Sequence, residues 1–219
     1  MSLPEAVDEE TPRIRLPGVR PPKPLLPLEI EERLTNRQRQ LLDQLEELVI
    51  GEGLADVTMA QIAARVNCSL RTLYGISPSK DELVLTVTDR RLHRIGRAAI
   101  ESLDPKLPPL DALRAYLSVA NQAVDSERGE MARSFLDLPG AKRLFDSHEN
   151  YLTAVVQSLL DRAVAEGFIA PVDTAAVAHV LGGLGQEFSR AHVSPSVEKS
   201  PKQTADDLTE IILRGLERG

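Results

Sequence analysis

The chain has 219 residues, 42% hydrophobic and 27% charged, with a net charge of −7, a make-up that fits a soluble globular protein of one or two domains and excludes a surface coated in basic charge. One cysteine, Cys68, excludes an internal disulfide framework and argues against a structural zinc site, and no apolar run reaches the roughly 18 residues that would suggest a membrane span. Aromatic residues make up 3% and Trp is absent, so the core must be built from Leu, Ala, Val and Ile, as in helices packed on helices.

Residues 1–32 hold seven of the fifteen prolines and read as an extended, disordered arm, because Pro lacks a backbone donor and blocks helix propagation. Arg13, Arg15, Arg20 and Lys23 in this arm suit a solvated tail, or alternatively a segment that follows a DNA backbone. From residue 33 the apolar spacing is helical almost throughout. Thr35 or Asn36 can cap a first helix to about Gly51 or Gly53, with Leu41, Leu42, Leu45, Leu48 and Val49 as its stripe. Thr58 begins a second, carrying Met59, Ile62, Ala63 and Val66. Asn67-Cys68-Ser69 breaks it before a short third helix from Leu70 to Gly75. Ser79 with Glu82 makes a capping box for a fourth that runs to about Ser102.

Asp104-Pro105 and Pro108-Pro109 mark a boundary. Beyond it helices are expected over about 110–127, 130–136, 140–167, 173–192 and 201–217, the last on a stripe of Leu208, Ile211, Ile212 and Leu216. Nowhere do β-branched residues alternate over a strand's length. The expected fold class is all-α, with a disordered arm (1–32), a small domain (33–80) and a larger helical body (81–219).

The informative stretch is residues 58–83. Two short helices flank a tight turn, and such helices persist only when packed on a support, here the first helix. That geometry leaves the outer face of the second short helix free to enter a major groove. It would present Ser69, Leu70, Arg71, Thr72 and Gly75, with Arg71 suited to bidentate reading of guanine.

In Thr58, Ile62, Ala63, Ser69, Thr72, Leu73, Tyr74, Ser79, Lys80 and Leu83 this segment resembles the helix-turn-helix of TetR-family transcriptional regulators. The resemblance implies that Thr58, Thr72, Tyr74 and Lys80 touch phosphates while Leu70, Arg71 and Gly75 face bases. It also implies a homodimer formed through the last two long helices, a palindromic double-stranded DNA operator, and repression relieved by a small-molecule ligand. The implied setting is the cytoplasm, in keeping with the lack of a basic-then-apolar leader, and no cofactor or membrane is involved. Two positions depart from the family pattern. Asn67 replaces a turn Gly, and Asn is the next best residue for a left-handed backbone. Ser77 replaces an aromatic wedge, so the small domain is expected to be loosely tied unless Ile76 serves instead, and Ser77→Phe is expected to tighten it.

In the body, Ala175, Ala178, Gly182, Gly185 and Ser189 form a stripe of small residues on one helix, which suits close approach by a partner helix or by the chain's own core. Six of the seven Phe and Tyr residues follow residue 100. Large side chains leave irregular gaps in Ala- and Leu-rich bundles, and Tyr116, Phe135, Phe145 and Tyr151 are the candidate ligand-contacting residues. His93, His148, His179 and His192 show no metal-ligand spacing, so no metal is expected. Arg90, Arg94 and Arg97 share a face of the fourth helix, either as a basic patch or as solvated charges. A helical scaffold that does not bind DNA and a motif-less helical enzyme are the competing classes. The chain has no Gly-x-Ser-x-Gly elbow or phosphate loop, and Gly182-Gly183-Leu184-Gly185 lacks a preceding strand.

Overall fold

The computed structural model describes residues 16–52, 54, 57–125, 138–190, 193 and 196–217, and helices are the only regular elements among them. They are α1 (Leu28–Arg33), α2 (Asn36–Glu52), α3 (Met59–Arg65), α4 (Leu70–Ile76), α5 (Lys80–Glu101), α6 (Pro109–Ala120), α7 (Gln122–Asp125), α8 (Ala141–Ala165), α9 (Thr174–Ser189) and α10 (Pro201–Glu217). The all-α expectation holds. The helix expected over 130–136 lies outside the described residues, whereas the helix expected to run to His192 stops at Ser189, where Arg190 turns to extended backbone. None of the described helices is long and apolar enough to cross a membrane.

Helical spacing sorts the apolar side chains into two main cores. The first joins Leu41, Leu42 and Leu45 of α2, Ile62 and Ala63 of α3, Leu73 of α4, and Leu83, Val84 and Val87 of α5. The second joins Ala99 of α5, Leu113, Tyr116 and Leu117 of α6, Val155, Val156, Leu159 and Leu160 of α8, Leu181 of α9 and Leu213 of α10. Helix α5 therefore belongs to both. It lies beside α8 in the same sense: Leu85 packs with Ala141 and Leu144, Asp89 meets His148, and Tyr151 sits against Gly96.

Four sequence expectations are corrected by this packing. The described part of the arm, residues 16–32, is docked rather than disordered. Leu16 and Val19 pack on the larger core and Leu26 on the smaller, and the Leu25 N–H donates to Asp89 Oδ2 at 2.7 Å. Its prolines bar a long helix but leave the apolar residues between them free to dock, and Pro27 precedes the single turn-and-a-half of α1. Arg90 and Arg94 are not a free basic patch. Arg90 pairs with Glu31 at 3.3 Å and Asp43 at 2.8 Å, and Arg94 pairs with the buried Glu46, so these charges clamp α1 and α2 onto α5. The helix expected over 110–127 breaks at Asn121, which is buried and donates through Nδ2 to Asp206 Oδ1 at 2.8 Å.

The fourth correction concerns the small-residue stripe of α9. Ala178, Gly185 and Ser189 are buried in this chain's own interior. A Cβ on Gly182 would stand 2.8 Å from Thr153 Oγ1 and 3.0 Å from Leu152 Cδ2, and one on Gly185 would stand 3.0 Å from Val124 Cγ2. The glycines thus let α9 lie close against α8 and α7. On α10 the buried residues are Ala205, Thr209 and Leu213, while Ile211 is 65% exposed. Gly182→Leu should consequently lower the unfolding free energy by about 1–3 kcal/mol through overpacking, read by chemical denaturation; a variant of wild-type stability would contradict this placement of α9.

Candidate nucleic-acid interface

The short helices α3 and α4 are held at their starts by side-chain caps. Thr58 Oγ1 accepts from the Gln61 N–H at 3.3 Å, and Gln61 Oε1 accepts from the Thr58 N–H at 2.8 Å. This is a complete capping box, satisfying two donors that a helix start leaves open. Ser69 Oγ accepts from the Thr72 N–H at 3.0 Å and lies 2.7 Å from Thr72 Oγ1. Of the hydroxyls expected at phosphates, that of Thr58 is itself a cap and that of Thr72 meets the Ser69 cap, and Thr58, Ser69 and Thr72 are all exposed. Ser79 caps α5 by accepting from the Glu82 N–H at 3.2 Å.

Between α3 and α4, Asn67 adopts φ 49°, the left-handed backbone that its replacement of a turn Gly requires. Its carbonyl accepts from Arg37 Nη2 of α2 at 3.2 Å, so the turn is fastened to the supporting helix. Cys68 is half-buried beside it and packs on the first core. Burial pushes its thiol up, outweighing the opposite pull of Arg37, which keeps it a protonated packing residue.

Helix α4 buries one side and leaves the other open. Leu73 is fully buried and Ile76 packs on the same core. Leu70, Arg71, Thr72, Tyr74 and Gly75 are exposed, and a Cβ on Gly75 would meet nothing within 4 Å. Of the candidate DNA-facing residues, Ser69, Leu70, Arg71, Thr72, Tyr74 and Gly75 therefore lie on or at the start of α4. Thr58 stands at the start of α3. Lys80 opens α5, where its ammonium donates to the Leu54 carbonyl at 3.0 Å; it ties the residue-54 loop to α5 in addition to any phosphate contact. Ser77 is not a slack joint. It is 3% exposed, its N–H donates to the Leu73 carbonyl at 3.0 Å, and Ile76 supplies the packing. A Phe in that buried place would overpack the joint rather than tighten it.

Of the candidate ligand-contacting residues, Tyr116 is 1% exposed within the second core, and Tyr151 packs against the same core half-buried. Burial, with a smaller contribution from Tyr151, pushes the Tyr116 phenol up, so it stays neutral. Phe145 is half-buried on α8, nearly two turns before Tyr151. Phe135 lies outside the described residues.

No family model and no curated protein matches the chain. Solved structures do match. A transcriptional regulator from Pseudomonas aeruginosa PAO1 superposes with a TM-score of 0.66 at 19% identity, over 86% of this chain and 94% of that one. A TetR-like transcriptional regulator from Rhodococcus sp. RHA1 gives 0.58 at 25% identity, over 84% and 98%. AibR in complex with isovaleryl coenzyme A and operator DNA gives 0.57 at 17% identity, over 80% and 97%.

The turn generates a direct check. Asn67→Gly should leave stability unchanged or slightly higher, whereas Asn67→Val should cost about 1–2 kcal/mol because a β-branched residue resists the left-handed region. Equal denaturation midpoints for the two variants would contradict the turn geometry.

Proposed function

The chain has the fold of TetR-family transcriptional regulators, and we propose that it is a sequence-specific DNA-binding regulator of that kind rather than an enzyme. The observation that carries the reading is the open outer face of α4, where Arg71 projects from a helix whose opposite side is buried on α2, α3 and α5. Thr58, Ser69, Thr72, Tyr74 and Lys80 would position the protein on phosphates. Leu70, Arg71 and Gly75 would face base edges in the major groove. In this reading 33–80 is a DNA-binding domain whose core is closed by Leu83, Val84 and Val87 of α5, and 81–219 is the ligand-binding and dimerisation body.

In this reading the protein is a homodimer on a palindromic operator, acts as a repressor in the cytoplasm and releases DNA when a small molecule binds the body near Tyr116, Tyr151, Phe145 and Phe135. AibR, which has this fold, has been crystallised with both an acyl coenzyme A and operator DNA, which supports such a pairing of ligands. The dimer surface moves from the stripe expected from sequence to the opposite faces of α9 and α10. There Val180 is 52% and Ile211 65% exposed, and a Cβ on Gly183 or Gly215 would meet nothing within 4 Å. Two such helices pair with their copies as a four-helix bundle.

Each half of the reading has its own test. Arg71→Ala should weaken binding to a preferred duplex by about 1–3 kcal/mol and relax preference at one position of each half-site. Binding to random DNA should change far less, measured by fluorescence anisotropy over a salt series; equal losses on both would defeat the base-reading role. Val180→Glu combined with Ile211→Glu should convert the dimer to a folded monomer in sedimentation. A dimer that survives both charges would refute this surface.

A further inference from the structure

Asp89 and His93, one turn apart on α5, come together with His148 of α8, whose arrival no local spacing in the sequence announces. Asp89 is buried and both imidazoles are mostly so. A single carboxylate oxygen, Asp89 Oδ1, lies 2.9 Å from His148 Nε2 and 3.5 Å from His93 Nε2. The three donor atoms all fall within 4.8 Å of one another. The two rings meet edge to face with centroids 4.8 Å apart. The buried His93 Nε2 makes no hydrogen bond, and a buried nitrogen left in that state is costly unless something else satisfies it.

We propose that Asp89, His93 and His148 bind one divalent transition-metal ion of the Zn²⁺, Co²⁺ or Ni²⁺ type. Metal–donor bonds of about 2.0–2.1 Å in a tetrahedral site place donors roughly 3.3–3.4 Å apart, a spacing that small rotations of these side chains reach. Two imidazoles and one carboxylate favour such ions over Mg²⁺ and Ca²⁺, which prefer oxygen donors. The second carboxylate oxygen, Asp89 Oδ2, is already held by the Leu25 N–H at 2.7 Å. That bond orients the carboxylate so that Oδ1 faces the rings, the kind of outer support that metal ligands need.

Three protein ligands leave a coordination position open for water or a small anion. Held by both helices, the ion would fix α5 against α8, and through Leu25 it would bear on the docked N-terminal segment. Binding of the ion does not depend on the DNA-binding reading and is tested without DNA.

The experiment is titration of the purified full chain with Co²⁺, followed by visible absorption, and then displacement by Zn²⁺ followed by calorimetry. The expected result is one ion per chain with the absorption of a low-symmetry Co²⁺ site, bleached by Zn²⁺. His93→Gln and His148→Gln should each weaken binding at least about tenfold while circular dichroism shows intact helices. No Co²⁺ binding by the wild type, or unchanged affinity in both folded variants, would overturn the proposal. Should the variants not fold, histidine ring NMR of the wild type decides: Zn²⁺ must shift His93 and His148 and leave His179 in place. Shifts confined to other histidines, or none, would overturn it.

Discussion

Helix α5 is one rigid element shared by two cores, and that constraint organises the molecule. Its 22 residues span about 33 Å. Leu83, Val84 and Val87 at one end belong to the core that supports α3 and α4, while Ala99 at the other belongs to the core of the body. A continuous helix curves only gently between them while its backbone hydrogen bonds stay intact. A rigid rotation of α5 at its far end would therefore also move the end that packs under α3 and α4. The Arg90 and Arg94 clamps to Glu31, Asp43 and Glu46 add to this, since they make α1 and α2 follow the same rod. Desolvating the partly buried ions offsets much of their attraction, so these clamps hold orientation more than they add stability.

The second helix that matters is α8, which accompanies α5 from Leu85 to Gly96. Along that seam the contacts change character, from Ala141 and Leu144 on Leu85, through the Asp89–His148 bond, to Tyr151 at Gly96. The polar node at Asp89 stands between two apolar stretches, and it also receives the N–H of Leu25. Three parts of the chain that are distant in sequence are thus fastened at one carboxylate.

What the sequence made legible was local. The period of apolar residues disclosed the helices, Thr58 and the break at Asn67-Cys68-Ser69 disclosed the starts of α3 and α4, and Asn67 disclosed a left-handed turn that the backbone adopts. Faces were harder. Helical periodicity says that Ala178, Gly182 and Gly185 share a side, but not that the side meets Thr153 and Val124 of the same chain. Likewise Ile211 fits an apolar stripe on spacing alone, yet it points outward, as Val180 does. Long-range meetings were invisible: His93 and His148 looked unrelated because ligand spacing was sought within single helices, and the alignment of α5 with α8 brings them together. Proline content hid the docking of Leu16, Val19 and Leu26, since composition reports the lack of helix and not the apolar contacts an extended segment can make.

The central claim is that α4 reads DNA from a symmetric pair of chains. Its most direct test is selection of bound fragments from a random pool of duplexes, sequenced after several rounds at near-physiological salt. The account predicts enrichment of an inverted repeat whose half-sites face the same side of the helix, about one turn or a multiple of it apart. A pool that stays random, or that converges on a site without two-fold symmetry, would contradict it.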